Sequence, residues 1–146
     1  MIAELTQDLI NKLLTVTDFN GRVGAQVGGT NTDATMAEAP VPFAWVIFAN
    51  DNPQDTANAN NGRKYLVTEN NFIVVIVFDY SGDMTDTSFI QSKLSLIDKC
   101  KEAVHASAEL SNAGLWQYTG CDLFKVYSDR LVYQLGFTAV GHQQII

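Results

Sequence analysis

This sequence is poor in charge, poor in the residues that do acid–base chemistry, and without a long hydrophobic run. Only 17% of its residues are charged and only two of the 146 are histidine. No unbroken apolar run exceeds seven residues, the length of Phe72 to Phe78, against the about 20 that a membrane-spanning helix needs. Nothing here is built to cross a bilayer as a helix. The N-terminal stretch carries Glu4 and Asp8 with no basic region or small-residue cleavage site before them. No signal peptide is therefore expected, and the product is expected to stay in the cytoplasm. Two cysteines, Cys100 and Cys121, are too few for a disulfide framework and read as buried thiols. Basic residues are also short, 9 against 16 acidic, for a net charge of −7. A chain of that sign does not coat itself with phosphate, so nucleic acid is not expected as a principal partner. Arg63, Lys64, Lys125 and Arg130 leave room only for a local basic patch.

Apolar residues are plentiful at 47%. At this length about 68 to 70% of the extended chain's surface is buried on folding. Residues 1–146 are accordingly read as one domain, with mobile polar loops near 28–42 and 50–64.

The periodicities divide the chain cleanly. Ile2, Leu5, Leu9, Leu13 and Val16 recur every three or four residues, with Glu4, Asp8, Asn11 and Lys12 on the other side, which predicts an amphipathic helix. Asn20-Gly21 ends it, and Arg22 to Val27 leaves space for a short extended piece. Phe43 to Phe48 is apolar on both faces and too short for a helix, so it reads as a covered strand. The next stretch, Asn50 to Lys64, has five Asn among its first twelve residues and reads as a loop outside the core. Tyr65 to Tyr80 predicts one bent strand, or two interrupted near Asn70-Asn71.

Thr85 to Ser88 supplies N-cap oxygens, with Ser88 and Gln91 at capping-box spacing. The helix that follows extends to about Leu110, with a stripe at Ile90, Leu94, Ile97, Cys100 or Lys101, Val104 and Ala108. Lys93, Lys99 and Glu102 are expected in solvent. Leu115 to Tyr127 and Leu131 to Ala139 then form a hairpin about Ser128-Asp129-Arg130. The expected class is α+β: an antiparallel or mixed sheet with two helices on one face, in the order helix, strand, strand, helix, strand, strand.

Catalytic, cofactor and metal motifs are missing. Neither CxxC nor HExxH occurs, no glycine-rich loop follows a strand and opens a helix, and Ser92 to Ser95 gives only a partial echo of SxxK. Asp79, Asp83 and Asp86 cluster before the long helix, where capping and its dipole account for the last two. The expectation is a non-enzyme with no cofactor and no metal. Trp45, Trp116, Tyr118 and Tyr133 lack the interleaved basic residues of a base-stacking surface, and read as core residues or interface anchors.

The order of elements resembles a known family. A short chain that opens on an amphipathic helix and runs through PVPFAWVIFA, a polar loop, NNFIVVIVFDY, one long helix and a terminal hairpin resembles the tail-terminator proteins of long-tailed bacteriophages. The resemblance covers Ile2 to about Val140 and rests on element order, without an invariant motif. It implies a structural virion protein, assembled in the host cytoplasm and located in the tail. It also implies a ring, usually a hexamer, that caps the tail tube, ends its polymerisation and presents a surface to head or neck proteins. The partners implied are copies of itself, the tube protein and those head or neck proteins. The family has no catalytic residue to carry over. Candidate interface residues are Arg63, Lys64, Trp116, Tyr118, Arg130, Tyr133 and Gln134, because a ring needs two different patches per subunit and sheet edges can provide them. Three alternatives remain at this stage: a small homo-oligomeric ligand-binding or regulatory α+β domain, a head-completion or neck protein of similar fold, and an enzyme using Asp79, Asp83 or His105.

Overall fold

The structure is a computed structural model that describes residues 1–26, 36–53, 65–79, 87–105 and 116–144. Helix α1 spans Ile2–Leu14 and a 3₁₀ turn follows at Thr17–Phe19. The strands are β1 (Val23–Ala25), β2 (Phe43–Pro53), β3 (Tyr65–Asp79), β4 (Gln117–Val126) and β5 (Arg130–Gln144), and helix α2 (Thr87–His105) lies between β3 and β4. The strands form one sheet in the order β1-β2-β3-β5-β4. Its β1–β2 pair is parallel and the other three pairs are antiparallel, so the sheet is mixed.

The expected order of elements therefore omits pieces. β1 and the 3₁₀ turn intervene between α1 and β2, and residues 36–38 are helical. Asn20, at φ 49°, and Gly21, at φ 78°, reverse the chain after the turn. The Arg22 guanidinium then donates to the carbonyls of Pro42 (2.9 Å) and Val41 (3.1 Å), tying the entrance of β1 to that of β2.

Alternation along the strands makes two cores. On one face Ala44, Val46, Phe72, Val74, Ile76, Phe78, Leu135 and Phe137 meet Leu5, Leu9 and Leu13 of α1 and Leu96, Ile97, Cys100 and Val104 of α2. Both long helices thus pack on the same face. The opposite face gathers Phe43, Trp45, Val75, Val77 and Val132 with Met36, and Ala39 and Val41 pack against them. Residues 36–42, expected in a surface loop, instead help close this second face.

Two further expectations change, and between them the choice left open for Tyr65 to Tyr80 is resolved. Asn50–Pro53 belongs to β2 and not to a loop: Asn50 pairs with Asn71 and Pro53 with Thr68. β1 pairs only with Ala44–Val46, so among the described residues the tip of β2 is an edge, where a proline costs no ladder bond. β3 is one strand, because its asparagine amides are satisfied. Asn70, fully buried, donates to the carbonyls of Thr68 and Ala139, both at 3.2 Å. The Asn71 amide donates to Asn50 (2.8 Å) while its oxygen accepts from Thr138 (2.6 Å). In α2, Leu94 is 36% exposed and Leu96 takes its expected place in the core.

Lys12 also departs from the solvent side expected for it. It is 7% exposed, and its ammonium lies 2.6 Å from Asp8 one turn earlier. The remainder of the expected polar loops, at residues 27–35 and 54–64, lies outside the described residues, as does the expected end of α2 beyond His105.

Candidate assembly surface

The candidate interface residues do not form one patch. Trp116 is 4% exposed and belongs to the chain's own core: its ring meets Phe72 edge-on at 5.4 Å, and its indole N–H donates to Asp8 at 2.7 Å. The same Asp8 oxygen accepts from Lys12, so the carboxylate joins α1 to the start of β4. That burial corrects the reading of Trp116 as an interface anchor. Tyr118 is half-buried against Phe137 at 5.7 Å, and the Lys101 ammonium sits 4.7 Å from its ring centre. Tyr133 stacks on Phe78 at 5.7 Å and 11°. Its partial burial, with a smaller contribution from Cys121, pushes its hydroxyl pKa up.

Arg130 serves the fold as a clip. Its guanidinium donates to the carbonyls of Met36 (3.0 Å) and Ala39 (2.5 Å), holding the 36–42 segment against the second face. Its Nε is buried with no hydrogen-bond partner among the described residues. Gln134 is half-buried on that same face, between Val75 and Asp122. Arg63 and Lys64 lie outside the described residues.

The sequence predicts a strand over Leu115 to Tyr127, but not the apolar exposure it carries: among the described residues β4 is the last strand of the sheet, and Leu123, Phe124 and Val126 are 51%, 50% and 57% exposed there. Two register shifts, between Tyr118 and Gly120 and between Leu123 and Lys125, mark bulges at Thr119 and Phe124. The only signal was the adjacent Leu123-Phe124 pair, since neighbours in a strand point to opposite sides.

The candidates for chemistry are separated. Asp79 pairs with Lys93 at 2.7 Å, and Asp18 pairs with Lys99 at 3.0 Å; both lysines were expected in open solvent. His105 is exposed at the end of α2, about three turns beyond Lys93. Ser95 donates to the carbonyl of Ser92. Asp83 and Asp86 lie outside the described residues, and His142 falls in β5. Among the described residues there is no group of three or more His, Cys, Asp or Glu able to hold a metal ion, and no helix long and apolar enough to cross a membrane.

Both thiols are free, but only Cys100 is fully buried; Cys121 is half-buried on β4, not buried as expected. Burial, helped by the Asp18 carboxylate, pushes the Cys100 thiol up to about 12. Burial raises Cys121 as well, with Lys101 acting against it. A groove of about 320 Å³ runs past Arg22, Val23, Ala39, Pro40, Phe43 and Trp45. Its cation, Arg22, is already engaged by two backbone carbonyls, so no convergent polar set marks it for a ligand.

No protein-family model matches this chain, and no curated protein matches it. Among solved structures it is similar to a chain described as "Virion of native gene transfer agent (GTA) particle", with a TM-score of 0.59 and 13% identity over 94% of each chain. At that identity the likeness is one of fold.

Proposed function

We propose that this chain is a structural virion protein that forms a ring on the end of a tail tube, stops tube growth there and presents a surface for the head or neck. One observation carries the reading: 94% of the chain follows the fold of 94% of a chain from a virion particle. A match of that extent spans most of the domain and is not confined to a common hairpin. The element order that resembles the tail-terminator family supports the finer role. By that resemblance the ring is a hexamer, with the tube protein and head or neck proteins as its further partners and the virion tail as its location.

The physical arrangement suits such a role. An open sheet has two different ends, here β1 and β4, and a closed ring is made by contact between two different patches on each subunit. Half-buried Gln134 and the exposed apolar side chains of β4 are surfaces of the kind used between proteins. A net charge of −7 disfavours DNA as the principal partner. Charge pairs inside the domain, such as Lys93 with Asp79, read as structural.

Co-sedimentation with polymerised tail tubes of the virus that carries the gene tests the proposal. The chain pellets with tubes at a ratio that rises as tubes are sheared shorter, because binding counts tube ends. Failure to pellet, or a ratio that follows tube mass instead of tube ends, overturns the capping role.

A further inference from the structure

We infer that the groove over Gly24 is a docking site for an extended segment of a partner protein, which lies along the outer side of β1, sets one ring-sized apolar side chain against Trp45 and brings a basic residue to Glu38. The first observation is Gly24 itself. It pairs with Trp45, so the two share the second face of the sheet. Its backbone lies outside the left-handed region, and a Cβ added there would meet nothing within 4 Å. Neither conformation nor packing inside the chain therefore asks for glycine, a residue that weakens a strand and often marks the close approach of another backbone. What the glycine does is leave a notch. The groove of about 320 Å³ runs past it, with Pro40, Phe43 and Trp45 among its lining. An aromatic side chain on a neighbouring strand covers a bare edge glycine of this kind.

The backbone beside the notch is suited to an incoming strand. Ala44 N–H donates to the Arg22 carbonyl and Gln26 N–H to the Val46 carbonyl, each at 3.0 Å, so Arg22, Gly24 and Gln26 turn their backbone groups towards β2 while Val23 and Ala25 turn theirs away. The Val23 N–H is taken up by the Gly21 carbonyl at 2.9 Å. The Val23 carbonyl and both outward groups of exposed Ala25 have no partner among the described residues. Strand addition uses this combination, the main chain for affinity and the notch for selectivity.

Trp45 adds a donor. Its side chain is only 8% exposed, yet its indole N–H donates to none of the described residues, and a tryptophan so buried ordinarily has an acceptor. Charge fixes the chemistry of the partner. Glu38, exposed beside the groove residues Ala39 and Pro40, is in no ion pair among the described residues. The described Lys and Arg side chains are all engaged within the chain, by carboxylates, rings or backbone carbonyls. The cation that meets Glu38 therefore comes with the partner.

This site does not rest on the tail reading, and its test uses no tubes. Nitrogen–proton correlation NMR spectra of the full chain are recorded during titration with the peptide acetyl-Thr-Lys-Val-Phe-Val-Lys-Thr-amide, whose Phe and both Lys share one face of an extended chain. The Ala25 amide and the Trp45 indole N–H shift saturably, and the amides of β4 do not. Gly24→Val fills the notch, melts no lower than the parent and weakens binding about tenfold or more. Glu38→Lys weakens it less, and a peptide with Glu in place of both Lys reverses that loss. The inference is overturned by the absence of saturable shifts at Ala25 and Trp45, or by Gly24→Val binding as tightly as the parent. A Gly24→Val protein that melts well below the parent also overturns it, because the fold itself would then need the glycine. Shifts at the same positions that grow with protein concentration alone, and vanish in Gly24→Val, overturn it in favour of a second copy as the occupant.

Discussion

β3 and β4 are both strands rich in branched and aromatic residues, yet they sit at opposite extremes of the same sheet. β3 is flanked by β2 and β5, and its residues 72 and 74–78 are all 1% exposed or less. Among the described residues β4 has one neighbouring strand, two bulges and three large apolar side chains at least half in solvent. Composition alone does not distinguish a core strand from an edge. Position does: β3 is covered by helices on one face and by the second core on the other, whereas of β4 only Tyr118 and Cys121 among the described residues pack, partly buried, against the first core, with Lys101 of α2 over the Tyr118 ring. Apolar area on β3 stabilises the monomer, whereas on β4 Leu123, Phe124 and Val126 leave half or more of theirs exposed in the single chain.

The sharpest way to break this contrast is Phe72→Ala in β3. The ring touches both Phe48 and Trp116, at 5.4 Å each, and its removal costs about 3–5 kcal/mol in urea unfolding. Trp116→Phe comes next. It keeps most of the ring and removes the donor to Asp8, for about 1–3 kcal/mol at unchanged fold by circular dichroism.

Gly136→Ala follows. A Cβ at that position collides with the Thr119 hydroxyl of the β4 bulge, costing about 1–2 kcal/mol; Thr119→Ala in the same chain recovers most of it. At the small end, Phe124→Ser changes monomer stability by under about 0.5 kcal/mol, although it deletes a phenyl ring as Phe72→Ala does.

The two thiols extend the comparison to pH. Cys100, in the core, holds its proton to about 12, against an ordinary value of 9.0. Because the folded-state value is the higher one, its contribution is complete below about pH 9 and is lost as pH rises from there towards 12. The stability difference between the parent and Cys100→Ala is therefore flat below pH 9 and shrinks above it. In the native protein at pH 8, alkylation reaches Cys121 on β4 before Cys100; equal rates would contradict the assignment of one to the core and the other to the edge.

Much of this was legible in the sequence because burial writes a period. Leu5, Leu9 and Leu13 are spaced for a helix and all are fully buried. Phe43 to Phe48 and Phe72 to Phe78, apolar on both faces, sit in β2 and β3. What escaped has no period to write. β1 falls within the short extended piece allowed for at Arg22 to Val27, but its place in the sheet escaped, because it is fixed by a parallel register with Ala44–Val46. Asn50–Pro53 joined β2 because Asn71 satisfies Asn50, a pairing between residues 21 apart.

The choice between core residue and interface anchor stayed open for Trp116 because its partner, Asp8, is 108 residues away. The edge of β4 was hidden for a related reason. Its two bulges decide which side chains share a face, and bulges are set by the partner strand, not by local propensity. The readable part of this molecule is its core, and the surface proposed to meet other proteins was the harder part to read.

In the proposed role this fold ends a tube by closing a ring on it. Electron micrographs of tail tubes incubated with the purified protein test it most directly. The account predicts a ring of density with central rotational symmetry at one end of each tube, and tubes that no longer lengthen when tube protein is added. Bare tube ends, or tubes that keep growing past the bound protein, would contradict it.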